Sequence, residues 1–139
     1  MNFREITPDD LAYMETHTRD PEIYKGGVGQ VDYIYALEDD GRTLAIGGFR
    51  MITKETAWCW VDMSDAGVKN RFTLYRTICE WIEKFCDTMN IWRLEACVKQ
   101  NYPEGMILVE HLGFEATGTK RNFFGKQNAV LYVKLFERT

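Results

Sequence analysis

Hydrophobic and polar positions along the chain change period several times, and each change predicts an element. "NFREI" alternates and predicts a first strand. "TPDDLAYMETH" opens with Thr7 as a helix N-cap, Pro8 at the first helical position and two acids in the first turn, which predicts a helix. "RDPEIYKGGVGQ", with Pro21 and glycines at 26, 27 and 29, predicts an irregular connection. "DYIYAL" and "TLAIGGFRMI" flank "EDDGR", an Asp-Gly hairpin signal, and "TAWCWVDM" follows after "TKE" as a fourth strand. From Arg71 to Met89 the apolar residues recur at three- and four-residue spacing: Phe72, Tyr75, Ile78, Cys79, Ile82, Phe85, Cys86 and Met89. That is a long amphipathic helix. "IWRLEACVK" is a fifth strand. "GMILVEHLGF", residues 105–114, predicts a helix starting at Gly105, burying Met106, Leu108, Val109 and Leu112, and stopping at Gly113. "FEATGTKRNFF" and "AVLYVKLF" then form a closing antiparallel pair.

Three meandering strands followed by a strand–helix–strand crossover predict an α+β, or mixed α/β, sheet with helices on its faces. The length of 139 residues suits one compact domain spanning 1–139. Seventeen Lys and Arg against twenty-one Asp and Glu give a formal charge of −4, which argues against nucleic acid held by bulk electrostatics. The charged N-terminus shows no signal peptide, and no apolar run approaches the roughly 20 residues of a membrane span, so a cytoplasmic location without membrane partners is expected. Cys59, Cys79, Cys86 and Cys97 make no C-x-x-C pair, and His17 and His111 stand far apart, so no metal site is expected.

The strand order, and the segment from Tyr102 to "LGF", resemble the GNAT superfamily of N-acetyltransferases, which move an acetyl group from acetyl-CoA to an amine. The resemblance implies a mostly antiparallel, seven-stranded twisted sheet with helices on both faces and a splay between strands 4 and 5. Acetyl-CoA is the implied co-substrate, without a metal, and a small-molecule or protein amine the implied acceptor. In the family's late motif, Gly105 takes the small position, Leu108 an apolar one, His111 the basic one, and Gly113-Phe114 the ending. Two positions depart: Val109 stands where the family has the Tyr that protonates the departing thiolate, and Tyr102 where it has Asn, with Asn101 beside it. A narrower likeness, through "LAIGG", "WCWVDMSD" and an Arg/Phe-led helix, is to GNAT-like virion-associated proteins of podovirus-type phages. It implies virion components as partners, a virion location and no turnover.

The resemblance places the pantetheine against the end of the fourth strand, at Trp60, Val61, Asp62 and Met63. The pyrophosphate would lie in the following loop, "DMSDAGVKNRF", with Gly67, Lys69, Asn70 and Arg71 as donors and Asn101 and Gly105 completing the cofactor set. Asp62 is the candidate base, against its reading as a solvent-facing acid or cap. Glu95 is a weaker base. Tyr102 is the candidate acid, against a packing tyrosine, and His111 either an acid–base group or a helix-end cation. "YKGGVGQ" lacks the Lys-Ser/Thr ending of a phosphate loop. It is a substrate-side lid with Tyr24 and Lys25 as acceptor contacts, or a plain linker. The closing strand pair offers an edge for a homodimer.

Overall fold

The computed structural model describes residues 2–18 and 33–137. Its elements are β1 (Asn2–Glu5), α1 (Pro8–His17), β2 (Tyr33–Asp39), β3 (Arg42–Met51), β4 (Thr56–Met63), α2 (Asp65–Lys69), α3 (Arg71–Met89), β5 (Arg93–Lys99), α4 (Pro103–His111), β6 (Glu115–Phe124) and β7 (Gln127–Leu135). The strands form one mixed sheet in the order β1-β2-β3-β4-β5-β7-β6, the α+β architecture expected. β1–β2, β2–β3, β5–β7 and β6–β7 run antiparallel and β4–β5 parallel. The parallel register joins Thr56 to Arg93, Ala57 to Leu94 and Trp58 to Glu95. It stops there, although β4 has eight residues and β5 seven, and this early end is the splay anticipated between the two strands.

The backbone groups into two compact units. The first comprises Met1–Arg50 and Cys59–Thr77. Here Asp40 and Gly41 both take positive φ, 50° and 74°, the type I′ geometry whose twist matches that of the flanking strands. α1 starts as its sequence dictates, with Pro8 at its first position and the Thr7 amide donating to Asp10 Oδ2 at 2.7 Å. Met14 on α1 and Leu44 and Ile46 on β3 are almost wholly buried.

The second unit comprises Met51–Trp58 and Ile78–Thr139. β5 alternates as a half-covered strand should: Leu94, Ala96 and Val98 are buried, while Arg93, Glu95, Cys97 and Lys99 are half-exposed. α4 ends in a Schellman motif. The Phe114 amide donates to the Val109 carbonyl at 3.0 Å and the Gly113 amide to the Glu110 carbonyl at 3.1 Å, with Gly113 at φ 89°. Phe114 and Val109 are both buried, so the hydrophobic contact that accompanies this motif is available.

Three expectations are corrected. The fourth helix starts at Pro103, not Gly105, because a proline fits the first turn, where its missing N–H costs nothing. The segment after β4 is no open loop but the short helix α2, started by Ser64. Phe72, assigned to the buried stripe of α3, is 66% exposed, because the helical period continues one turn beyond the core.

Candidate active site

The end of β4, in the first unit, carries the candidate base. Asp62 is only 3% exposed, so the solvent-facing alternative is excluded. The Thr18 hydroxyl donates to its carboxylate, lying 2.8 Å from one oxygen and 2.7 Å from the other. Thr18 is itself fixed. Its amide donates to the Met14 carbonyl at the end of α1, and it forms an isolated antiparallel bridge with Ser64. A carboxylate removed from water needs such hydrogen-bond partners. Trp60 and Met63 are buried and Val61 half-buried.

The same strand end is tied to β3 through Ser64. Its hydroxyl donates to the Thr43 carbonyl at 2.7 Å and accepts from the Gly67 amide at 3.2 Å, which starts α2. Gly67 is buried, and a Cβ on it would lie 2.1 Å from the Leu44 carbonyl oxygen. Its smallness therefore serves the approach of α2 to β3. Lys69, Asn70 and Arg71 are exposed where α3 begins, and the Leu74 amide donates to the Asn70 carbonyl at 3.0 Å as its first helical bond. No acid occupies the first turn of α3, so its positive dipole end is not neutralised there. The Arg71 guanidinium sits 5.0 Å above the exposed Phe72 ring. The Asn70 side-chain amide donates to the Ala66 carbonyl at 2.9 Å.

Asp10, which sequence reasoning took only as a first-turn acid, is a buried and multiply bonded carboxylate of this unit. Arg4 reaches it with both terminal nitrogens, at 2.7 and 2.8 Å, and Thr43 donates at 2.9 Å. The hydrogen bond from Arg4 holds the Asp10 carboxyl well below the usual range, against the opposing effect of burial. The partners lie six and 33 residues away, and no local pattern announces them.

In the second unit, Tyr102 precedes α4 and is half-buried. A Cβ on Gly105 would lie 2.9 Å from both the Tyr102 ring and the Val98 side chain. Gly105 thus lets α4 close on β5, with the Tyr102 ring beside it. Asn101 is exposed in the preceding turn. Val109 is 7% exposed and anchors the Schellman motif, so no side chain at that position offers a proton. His111 is exposed in the last turn of α4. Glu95 accepts from Arg93 Nε at 2.8 Å, which makes it an ion-paired residue on β5. Tyr24 and Lys25 lie outside the described residues.

Among the described residues no group of three or more His, Cys, Asp or Glu side chains could hold a metal ion. Cys59 and Cys86 are buried and Cys79 and Cys97 half-buried, all as thiols, and burial pushes the Cys97 thiol up. No described helix is long and apolar enough to cross a membrane.

Against known proteins, the family model described as "Acetyltransferase (GNAT) domain" matches residues 11–131. A search of the curated proteins finds no match. Among solved structures, the ribosomal-protein-S18-alanine N-acetyltransferase from Escherichia coli aligns at a TM-score of 0.68 and 15% identity, over 99% of this chain and 95% of that one. A spermidine N-acetyltransferase chimera from Vibrio cholerae and hSSAT gives 0.73 and 15%, over 97% and 96%. A GNAT-family acetyltransferase from Bacillus anthracis gives 0.73 and 12%, over 96% and 93%. At such identities the likeness is one of fold.

Proposed function

The chain belongs to the GNAT acetyltransferase family, and we propose that it is a single acyltransferase domain moving an acetyl group from acetyl-CoA to a primary amine. The observation that carries the reading is β4. Its register with β5 covers only its first three residues, and in the family the rest of this strand offers backbone groups to the pantetheine. Lys69 and Arg71, exposed beside an unneutralised helix start, supply charge for the pyrophosphate. Transfer is by direct attack: Asp62 takes the proton of the ammonium, the amine nitrogen bonds to the thioester carbon, and the carbon–sulfur bond breaks. With Val109 in the usual position of the acid, Tyr102 is the residue that protonates the departing thiolate, and the second proton that the nitrogen sheds as the amide forms restores the Tyr102 hydroxyl.

The test is release of CoA thiol from acetyl-CoA over a panel of primary amines. Asp62→Asn should lower kcat about a hundredfold or more, the range of a lost general base, with acetyl-CoA affinity retained. A second reading, a non-catalytic protein that keeps the fold, as in phage virion components, is favoured by two observations. Gly67 is consumed in packing, and Val109 is buried in place of an acid. No thiol release with any amine would select it.

A further inference from the structure

Charge is unevenly spread along this acidic chain. Between Ala116 and Phe136 there is no Asp or Glu, and the β6–β7 hairpin carries Lys120, Arg121 and Lys126, in a protein of formal net charge −4. Arg121 and Lys126 are exposed and Lys120 is half-exposed. None of the three is ion-paired to a described carboxylate. β6 ends the sheet, so the hairpin is an outer edge. Its ladder passes from Lys120–Ala129 to Phe124–Gln127, which leaves Arg121, Asn122 and Phe123 bulging opposite Asn128 alone. The bulge is pinned: Asn122 takes φ 54°, and its amide donates to Asn128 Oδ1 at 3.0 Å.

Two phenylalanines stand among these cations. Phe123 and Phe124 meet edge to face, with centroids 5.0 Å apart. The Lys120 ammonium lies 5.2 Å from the Phe123 centroid, and that of Lys99, at the end of β5, 5.8 Å from the Phe124 centroid. Phe123 is nonetheless 41% exposed. Cations and a bulge also guard an edge strand against unwanted pairing. Guarding gives no reason for an exposed phenyl ring, which water disfavours. Thr119, Asn122 and Gln127 add exposed, uncharged hydrogen-bonding groups. Cations and amides around an open ring, with no acid, suit single-stranded nucleic acid: phosphates meet the charges and a base packs on the ring. An acidic peptide would use the charges and leave the ring without a partner, and a duplex keeps its base faces stacked away. We propose that the β6–β7 hairpin binds a short single-stranded nucleic acid through Lys120, Arg121, Lys126 and Phe123. The net charge opposes a hold spread over the whole protein, not this local one. The proposal is independent of the transferase reading.

The test is fluorescence anisotropy of a labelled oligouridylate of about ten nucleotides, titrated with the full chain. A Kd on the order of 10 µM is expected at about 50 mM salt, and log affinity should fall against log salt with a slope of about −2, three phosphates at about 0.7 each. Arg121→Gln and Lys126→Gln should each flatten that slope by about 0.7. Phe123→Ala should weaken binding about tenfold with the slope unchanged, since stacking releases no counterions. These side chains are exposed, so melting temperatures should stay in place, and the wild-type measurements do not depend on the variants. Lys84→Gln, which removes an exposed cation from α3, should change neither affinity nor slope. No binding, equal affinity for a labelled decaglutamate or for a duplex of the same length, or an equal loss in Lys84→Gln overturns the proposal. So does binding that acetyl-CoA displaces and the three hairpin substitutions leave untouched, which would place the oligonucleotide at the coenzyme site.

Discussion

Two glycines that border helices, Gly67 in α2 and Gly113 after α4, look alike on the page and are required for opposite reasons. Gly113 takes φ 89°, a conformation that side chains resist, while its environment is open enough that the nearest atom to an added Cβ is the Lys134 Nζ, at 3.4 Å. Gly67 has no positive φ, but its Cβ would strike the Leu44 backbone at 2.1 Å. One is demanded by its own torsion, the other by a strand 23 residues earlier. The difference decides what a sequence can reveal, and also what a mutation should do.

The largest expected effect is at the crowded position. Gly67→Ala should cost about 3 kcal/mol, the upper part of the range for overpacking, because backbone rather than a flexible side chain must move. Gly67→Asn should be no milder. Equilibrium denaturation gives both values, and a cost below about 1 kcal/mol for either would mean that α2 does not sit against β3 as described.

Asp10 extends the same lesson, being another device whose partners are distant. Asp10→Asn should cost about 2 kcal/mol, since a charge-assisted pair with Arg4 is lost while the shape is kept. The pH dependence follows from its lowered acidity. The folded state holds this proton less tightly than the unfolded chain, whose value is near 3.8, so the stabilisation is complete above about pH 5. It is lost progressively as pH falls below the unfolded value toward the folded one. Wild type should therefore lose stability more steeply than Asp10→Asn between pH 4 and 2. Parallel curves would show that the pair contributes nothing.

Gly113→Ala should cost about 1–2 kcal/mol, the penalty of a left-handed residue. Gly113→Asn should recover much of it, since Asn visits that region with less strain. This rescue at 113 against none at 67 is the sharpest form of the comparison. The smallest effect is at Lys134, whose ammonium accepts no hydrogen bond but donates to the Leu112 carbonyl at 2.7 Å and pairs with Glu83 at 2.9 Å. Lys134→Met should cost about 1 kcal/mol, measurable as a lower midpoint, by removing a cation from the end of α4.

What the sequence made legible follows this division. The Asp-Gly hairpin, the Thr7-Pro8 helix start and the Gly113-Phe114 stop are each specified within a few residues, and all three stand in the structure. Asp62 could be chosen as a strand-end acid, yet its hydroxyl partner Thr18 lies 44 residues away, beyond any local signal. The family resemblance places Gly67 in a phosphate loop, and nothing in its local sequence points to a packing contact. Only the fold brings the Leu44 carbonyl to it. Phe72 failed differently: helical periodicity shows which face is apolar but not where the core beneath it ends.

The central claim, that this chain retains the coenzyme chemistry of its family, is tested most directly by a calorimetric titration of the intact protein with acetyl-CoA. One saturable site per chain is predicted, with a matching gain in unfolding free energy of about 2.7 kcal/mol at a hundredfold excess over the dissociation constant. No heat and no stabilisation at millimolar acetyl-CoA would contradict it.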